Sequence, residues 1–155
     1  MSLKEFELFH GVVLTKLIRR DKPVTLCLIE TNTLEFWSIY TVNDVIFFLK
    51  HSTNPRELQN GGRSWSFQFT ENQLKQIKEK TCIVLVCGSK DTKDKDMEIC
   101  FIKDEEVKTL LSNEAKSLTV RIQPGQKIRV SSSAVDKDKK VLVSRNALEK
   151  YEISS

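Results

Sequence analysis

Cations are the residues of this sequence whose grouping most plainly suggests chemistry. Residues 115–151 hold nine basic side chains (Lys116, Arg121, Lys127, Arg129, Lys137, Lys139, Lys140, Arg145, Lys150) against three acids (Asp136, Asp138, Glu149). The whole chain carries only +4, so the remainder is slightly acidic and the positive field belongs to the C-terminal quarter. Such a field attracts phosphates, and arginine forks hold them through two parallel hydrogen bonds. Spacing sharpens the point. Leu118, Val120 and Ile122 alternate with Thr119, Arg121 and Gln123, while Ile128 and Val130 alternate with Lys127 and Arg129. A hairpin closed by Pro124-Gly125-Gln126 pairs Ile122 with Ile128 and Val120 with Val130. It also sets Arg121 directly opposite Arg129 on the wet face. Like charges so placed destabilise a sheet by ~0.2–1 kcal/mol, which an anionic partner would relieve. The candidate nucleic-acid contacts are therefore Arg121, Lys127, Arg129, Lys137, Lys139, Lys140 and Arg145. Two features favour a plain solvated face instead. Asp136 and Asp138 interrupt the charge, and no aromatic interleaves the hairpin as single-strand binders prefer.

Other reactive types are sparse. His10 and His51 are the two histidines. His51 adjoins Ser52, but no third member of a nucleophilic triad stands out, and a histidine at a strand end is expected to be half-exposed. Cys27, Cys82, Cys87 and Cys100 all fall in apolar runs without a CxxC spacing. Cys82 and Cys87 point to opposite faces of a strand, so buried free thiols in a reducing compartment are expected. The run from Asp91 to Glu98 resembles a calcium loop superficially. It lacks the mid-loop glycine and carries Lys93 and Lys95, so it reads as a solubilising hairpin tip. No glycine-rich phosphate loop is present.

The elements that must position these residues follow from periodicity. Residues 3–20 have a helical stripe of Phe6, Phe9, Val13 and Leu17, interrupted by Gly11 and stopped by Pro23. Three strands follow at 24–30, 35–42 and 45–50. The first and third are apolar on both faces, which predicts interior positions in a sheet. Residues 52–63 read as a flexible loop in which Asn54-Pro55 starts a helical turn. Trp65, Phe67 and Phe69 then alternate as in a half-buried strand, and Thr70 with Gln73 opens a helix over 71–80. Residues 82–87 are a central strand, 97–102 another, and a helix from Lys103 buries Val107, Leu110 and Leu111. After the basic hairpin come a charged loop at 131–140, a strand VLVS, and a closing helix capped by Ser144. The order predicts one globular α+β domain over 1–155, a mixed, mainly antiparallel sheet covered by about four helices. No apolar run approaches the ~20 residues needed to span a bilayer, and the N-terminus lacks a signal-peptide pattern, so a cytoplasmic location is expected.

An opening helix, three meandering strands, a helix and another strand resemble the core of the PD-(D/E)XK endonuclease-like fold over residues 3–87. That resemblance implies an acid on the second strand and an acid-x-Lys on the third, which hold magnesium or manganese to activate water against a phosphodiester. Lys50 matches the lysine, but the acid position is Phe48, and the second strand offers Ser38 and Tyr40. A displaced site could recruit Glu5, Glu30, Asp44 and Lys50. Otherwise Lys50 snorkels at a strand end and Asp44 is a turn residue. Three expectations result. The first is a non-catalytic domain associated with DNA, RNA or a nucleic-acid enzyme. The second is a metal-dependent nuclease with displaced ligands. The third is a protein-interaction module, favoured if Trp37, Trp65 and Phe67 form an exposed patch.

Overall fold

The computed structural model describes residues 3–19, 24–32, 34, 37–89, 97–111, 115–132 and 140–151, with side chains from residue 7 onward. In chain order the elements are α1 (Leu3–Ile18), β1 (Leu26–Asn32), β2 (Trp37–Val42), β3 (Val45–Ser52), β4 (Arg56–Glu57) and a 3-10 turn (Gln59–Gly61). Next come β5 (Arg63–Gln68), α2 (Glu71–Gln76), β6 (Thr81–Cys87), β7 (Glu98–Ile102) and α3 (Asp104–Leu110). The chain closes with β8 (Ser117–Ile122), β9 (Ile128–Ser132), β10 (Val141–Val143) and α4 (Ala147–Lys150).

The domain is α+β, with four helices among the described residues, and its strands divide into two sheets where one was expected. The first is ordered β1-β2-β3-β6-β7 and the second β10-β9-β8-β5-β4. Every pairing is antiparallel except β3 with β6, which run parallel from Ile46 opposite Thr81 to Ser52 opposite Cys87. A parallel neighbour needs a crossover. Here the crossover contains β4, β5 and α2, and so delivers two strands of the second sheet while returning to the first.

Side-chain alternation sorts the core into two layers. Trp37, Phe48, Ile83 and Leu85 point from the first sheet towards Trp65, Phe67, Val120 and Val130 of the second, joined by Val107 and Leu110 of α3. The opposite face of the first sheet, Phe47, Leu49, Val84 and Phe101, is covered by Phe9, Val13 and Leu17 of α1 and Leu148 near the C-terminus. Lys50 and His51 are adjacent on β3 and therefore lie on opposite faces of the sheet. Gly88, just past β6, sits under the Phe9 ring so closely that a Cβ there would overlap it.

Several expectations are corrected. The first strand is at the sheet edge, not inside it. Among the described residues β1 pairs with β2 alone, through a bulge between Leu28 and Glu30, and Leu28 and Ile29 are 53% and 58% exposed. Cys27 on this strand is exposed, while the other three free cysteines are buried. The stretch expected as loop at 52–63 contains β4, and its helical turn starts at Gln59 instead of Asn54-Pro55. α2 is shorter than 71–80 because the backbone leaves helical geometry at Ile77 (φ −87°, ψ 88°). Thr70 caps it as expected, its hydroxyl accepting from Gln73 N–H at 3.2 Å. The closing helix begins after Asn146, and the Ser144 hydroxyl lies 2.7 Å from Asn146 Oδ1 instead of capping. Trp37, Trp65 and Phe67 are buried core, so the condition that favoured an interaction module on that patch is not met. No described helix is long and apolar enough to cross a membrane.

Candidate functional site

β5 presents Ser64, Ser66 and Gln68 away from the core because Trp65 and Phe67 must point into it. β8 likewise turns Thr119 and Arg121 outward, and β9 turns Arg129 and Ser131 outward. The registers then align these residues into rows across the second sheet. Arg56 stands opposite Ser64, Ser64 opposite Arg121, and Arg121 opposite Arg129. A hydroxyl row of Ser66, Thr119 and Ser131 runs beside it. With strands ~4.8 Å apart, the arginine row is about 14 Å long. All three arginines are exposed, and none has an ion-pair partner among the described residues. The opposition of Arg121 and Arg129 is as the hairpin register predicts. Arg56 was missed, because a single arginine in a loop-like stretch carries no signal until its pairing partner is known.

The other proposed contacts divide. Lys127 and Lys140 are exposed beside β9 and β10. Lys137 and Lys139 lie outside the described residues. Arg145 is turned to internal work. Its Nη2 donates to the Gln123 carbonyl at 2.7 Å and its Nε to the Gln126 carbonyl at 3.0 Å. Its Nη1 meets Glu98 at 3.2 Å. It braces the β8–β9 turn from behind and leaves little of its fork for a ligand.

Of the four residues named for a displaced nuclease site, the three whose side chains are described, Glu30, Asp44 and Lys50, are not gathered. Asp44 is an exposed turn residue at the start of β3, and Lys50 lies six positions along the strand, roughly 20 Å away. Glu30 is exposed on the edge strand, opposite Ile39. Glu5 belongs to α1, but its side chain falls outside the described residues. Among the described residues no group of three or more His, Cys, Asp or Glu could hold a metal ion. Lys50 does not snorkel: it is 8% exposed, donates to Gln73 Oε1 at 2.7 Å, and lies over the Phe69 ring at 5.1 Å. Gln73 is thus the buried residue of α2, and its side chain serves Lys50 instead of completing the capping box.

On the other face of β3, three residues distant in sequence form a buried polar chain. Ser38 Oγ lies 2.7 Å from His10 Nδ1, and His10 Nε2 lies 2.9 Å from His51 Nδ1. Far from half-exposed, His51 is 3% exposed and stacks on Phe9 with ring centroids 5.1 Å apart. Only one of the two facing ring nitrogens can carry a proton, so charging both rings would set N–H against N–H. Ser38 is fully buried, which bars it from acting on an external substrate. Burial first and the Lys50 charge second push the His51 pKa down to about 4. An unfolded histidine titrates near 6.5, so the unfolded state takes up a proton first as pH falls. Stability is therefore full above pH ~6.5 and is lost as pH falls towards 4, by about 3 kcal/mol at most from this group. Urea melts at neutral and mildly acid pH are expected to show that drop, and His51→Gln to shrink it. An equal drop in the variant would assign the acid sensitivity elsewhere.

Burial holds the three buried thiols in the protonated form. Burial raises Cys82 to about 11, and pushes Cys87 and Cys100 up as well. Comparison with protein-family models, with curated proteins and with solved structures finds no match to this chain.

Proposed function

We propose that this domain binds the phosphate backbone of nucleic acid on the outward face of its second sheet and does not itself cleave it. The observation that supports this best is the exposed, unneutralised Arg121–Arg129 cross-strand pair, extended through Ser64 to Arg56. Guanidinium and hydroxyl groups on a flat surface suit phosphate oxygens. The outward positions of β5, β8 and β9 are Ser, Thr, Gln and Arg, which offer no ring for stacking a base. Binding is therefore of duplex backbone and indifferent to sequence. The order α1-β1-β2-β3-β4-β5-α2-β6, with β6 beside β3 and β4 and β5 inserted before α2, adds support through the PD-(D/E)XK-like resemblance. The magnesium- or manganese-dependent alternative has less behind it, since Asp44 and Lys50 sit at opposite ends of β3. Four free cysteines fit a reducing cytoplasm.

Three arginine–phosphate contacts give a slope of about −2.7 for log affinity against log salt on B-DNA. A fourfold rise in salt should then weaken binding about 40-fold, and Arg56→Ala should flatten the slope by about 0.9. Fluorescence anisotropy of a generic duplex across a salt series measures both. Binding indifferent to salt, or none at low salt, ends this reading.

A further inference from the structure

At the tip of the β8–β9 hairpin the arginine row opens into a cleft of about 350 Å³, lined by Asn60, Arg121, Gln123, Pro124, Gln126 and Arg129. Two turns form its walls. Asn60 (φ 65°) and Gly61 (φ 79°) hold the β4–β5 turn in left-handed backbone, and Leu58 N–H closes it on the Gly62 carbonyl at 2.8 Å. A Cβ on Gly62 would overlap the Gln123 amide, so this turn is seated directly against the hairpin. The second wall is closed by Gln126 N–H donating to the Gln123 carbonyl at 3.1 Å, and Arg145 braces those same two residues from behind. Both walls are thus fixed by short-range contacts before any ligand arrives.

The lining contains neither an aromatic ring nor a carboxylate, which suits it to an anion and leaves it without a surface for stacking a base. Two guanidinium forks and the Asn60 and Gln126 amides supply more donors than the two non-bridging oxygens of an internal phosphodiester use. They also present two positive charges to that diester's single negative one. A terminal phosphate monoester carries about −1.5 to −2 at neutral pH and three acceptor oxygens, which matches both the charge and the donor set. Resting on the phosphate-binding reading above, we propose that this cleft holds the terminal phosphate of a nucleic-acid strand. Ser64 and Arg56 then meet internal phosphates of the same duplex.

The test compares one duplex carrying 5′-phosphate, 3′-phosphate or only hydroxyl ends with a covalently closed circle of like sequence, by anisotropy and competition at low salt. A phosphorylated end is expected to bind about tenfold tighter than a hydroxyl end or the circle. Inorganic phosphate and a nucleoside monophosphate should compete away that advantage, showing that the phosphoryl group is what is read. Arg129→Gln should abolish the advantage while circular dichroism stays unchanged and the melting temperature does not fall, since the substitution also removes the like-charge pairing with Arg121. Equal affinity for phosphorylated, hydroxyl and closed duplexes overturns the end-binding inference and leaves backbone binding standing. No affinity for any of them overturns both.

Discussion

Arg121→Glu combined with Arg129→Glu is expected to lower duplex affinity at least about 100-fold while leaving the fold intact. The double substitution replaces two phosphate contacts with two repulsive charges on the same exposed face. It also exchanges one like-charge cross-strand pair for another, so the ladder itself should be little altered. Lys75→Glu with Lys108→Glu makes the same change in net charge on exposed residues of α2 and α3. That control should weaken binding only about threefold, which separates a local surface from a global field. The single change Arg129→Glu carries a further expectation. It converts the Arg121 pairing from repulsive to attractive and should stabilise the domain by up to about 1 kcal/mol while weakening binding. Denaturant midpoints and anisotropy on one sample measure both. A variant that is less stable and binds as before would remove the reason for treating the opposed arginines as a ligand surface.

Trp65→Ala should have the largest effect on stability. The indole is fully buried between the two sheets, and its Nε1–H donates to the Gly88 carbonyl at 2.8 Å. Truncation leaves a cavity costing about 3–5 kcal/mol, and the orphaned carbonyl adds about 1–3 kcal/mol. Such a loss is of the order of a domain's whole stability, so the variant is expected to be largely unfolded at room temperature. Trp65→Phe keeps most of the apolar volume and isolates the hydrogen bond, with an expected loss of about 1–3 kcal/mol. Urea denaturation followed by circular dichroism distinguishes the two. A Trp65→Phe variant as damaged as the alanine would assign the loss to the hydrogen bond that both variants lack, and one as stable as the parent would show that the hydrogen bond contributes nothing.

Local patterns in the sequence proved readable, and choices between distant partners did not. The alternation in β5, β8 and β9 marked their inward residues correctly, and a three-residue loop was enough to place Arg121 against Arg129. Apolarity on both faces was ambiguous. It identified β6, every residue of which is buried, but the same pattern in β1 belongs to an exposed edge. Composition describes a strand's own surface and says nothing of whether a second neighbour arrives. The division into two sheets was hidden for a related reason, since β3 pairs with β6 and β5 with β8 across long stretches of chain. The contact of Gln73 with Lys50 and the place of Arg56 in the arginine row became visible only in the folded chain. The Ser38–His10–His51 chain joins residues 28 and 41 positions apart, beyond the reach of any spacing rule.

β1 gives the domain a weak margin. Among the described residues it has a single neighbour, a bulge interrupts its ladder, and most of its side chains already meet water. Detaching it would uncover little apolar surface, so it can peel away while the two inner layers stay closed. Deuterium should accordingly replace its amide protons orders of magnitude sooner than those of β6, whose exchange has to await complete unfolding. A protease added to the native protein would find its first foothold there.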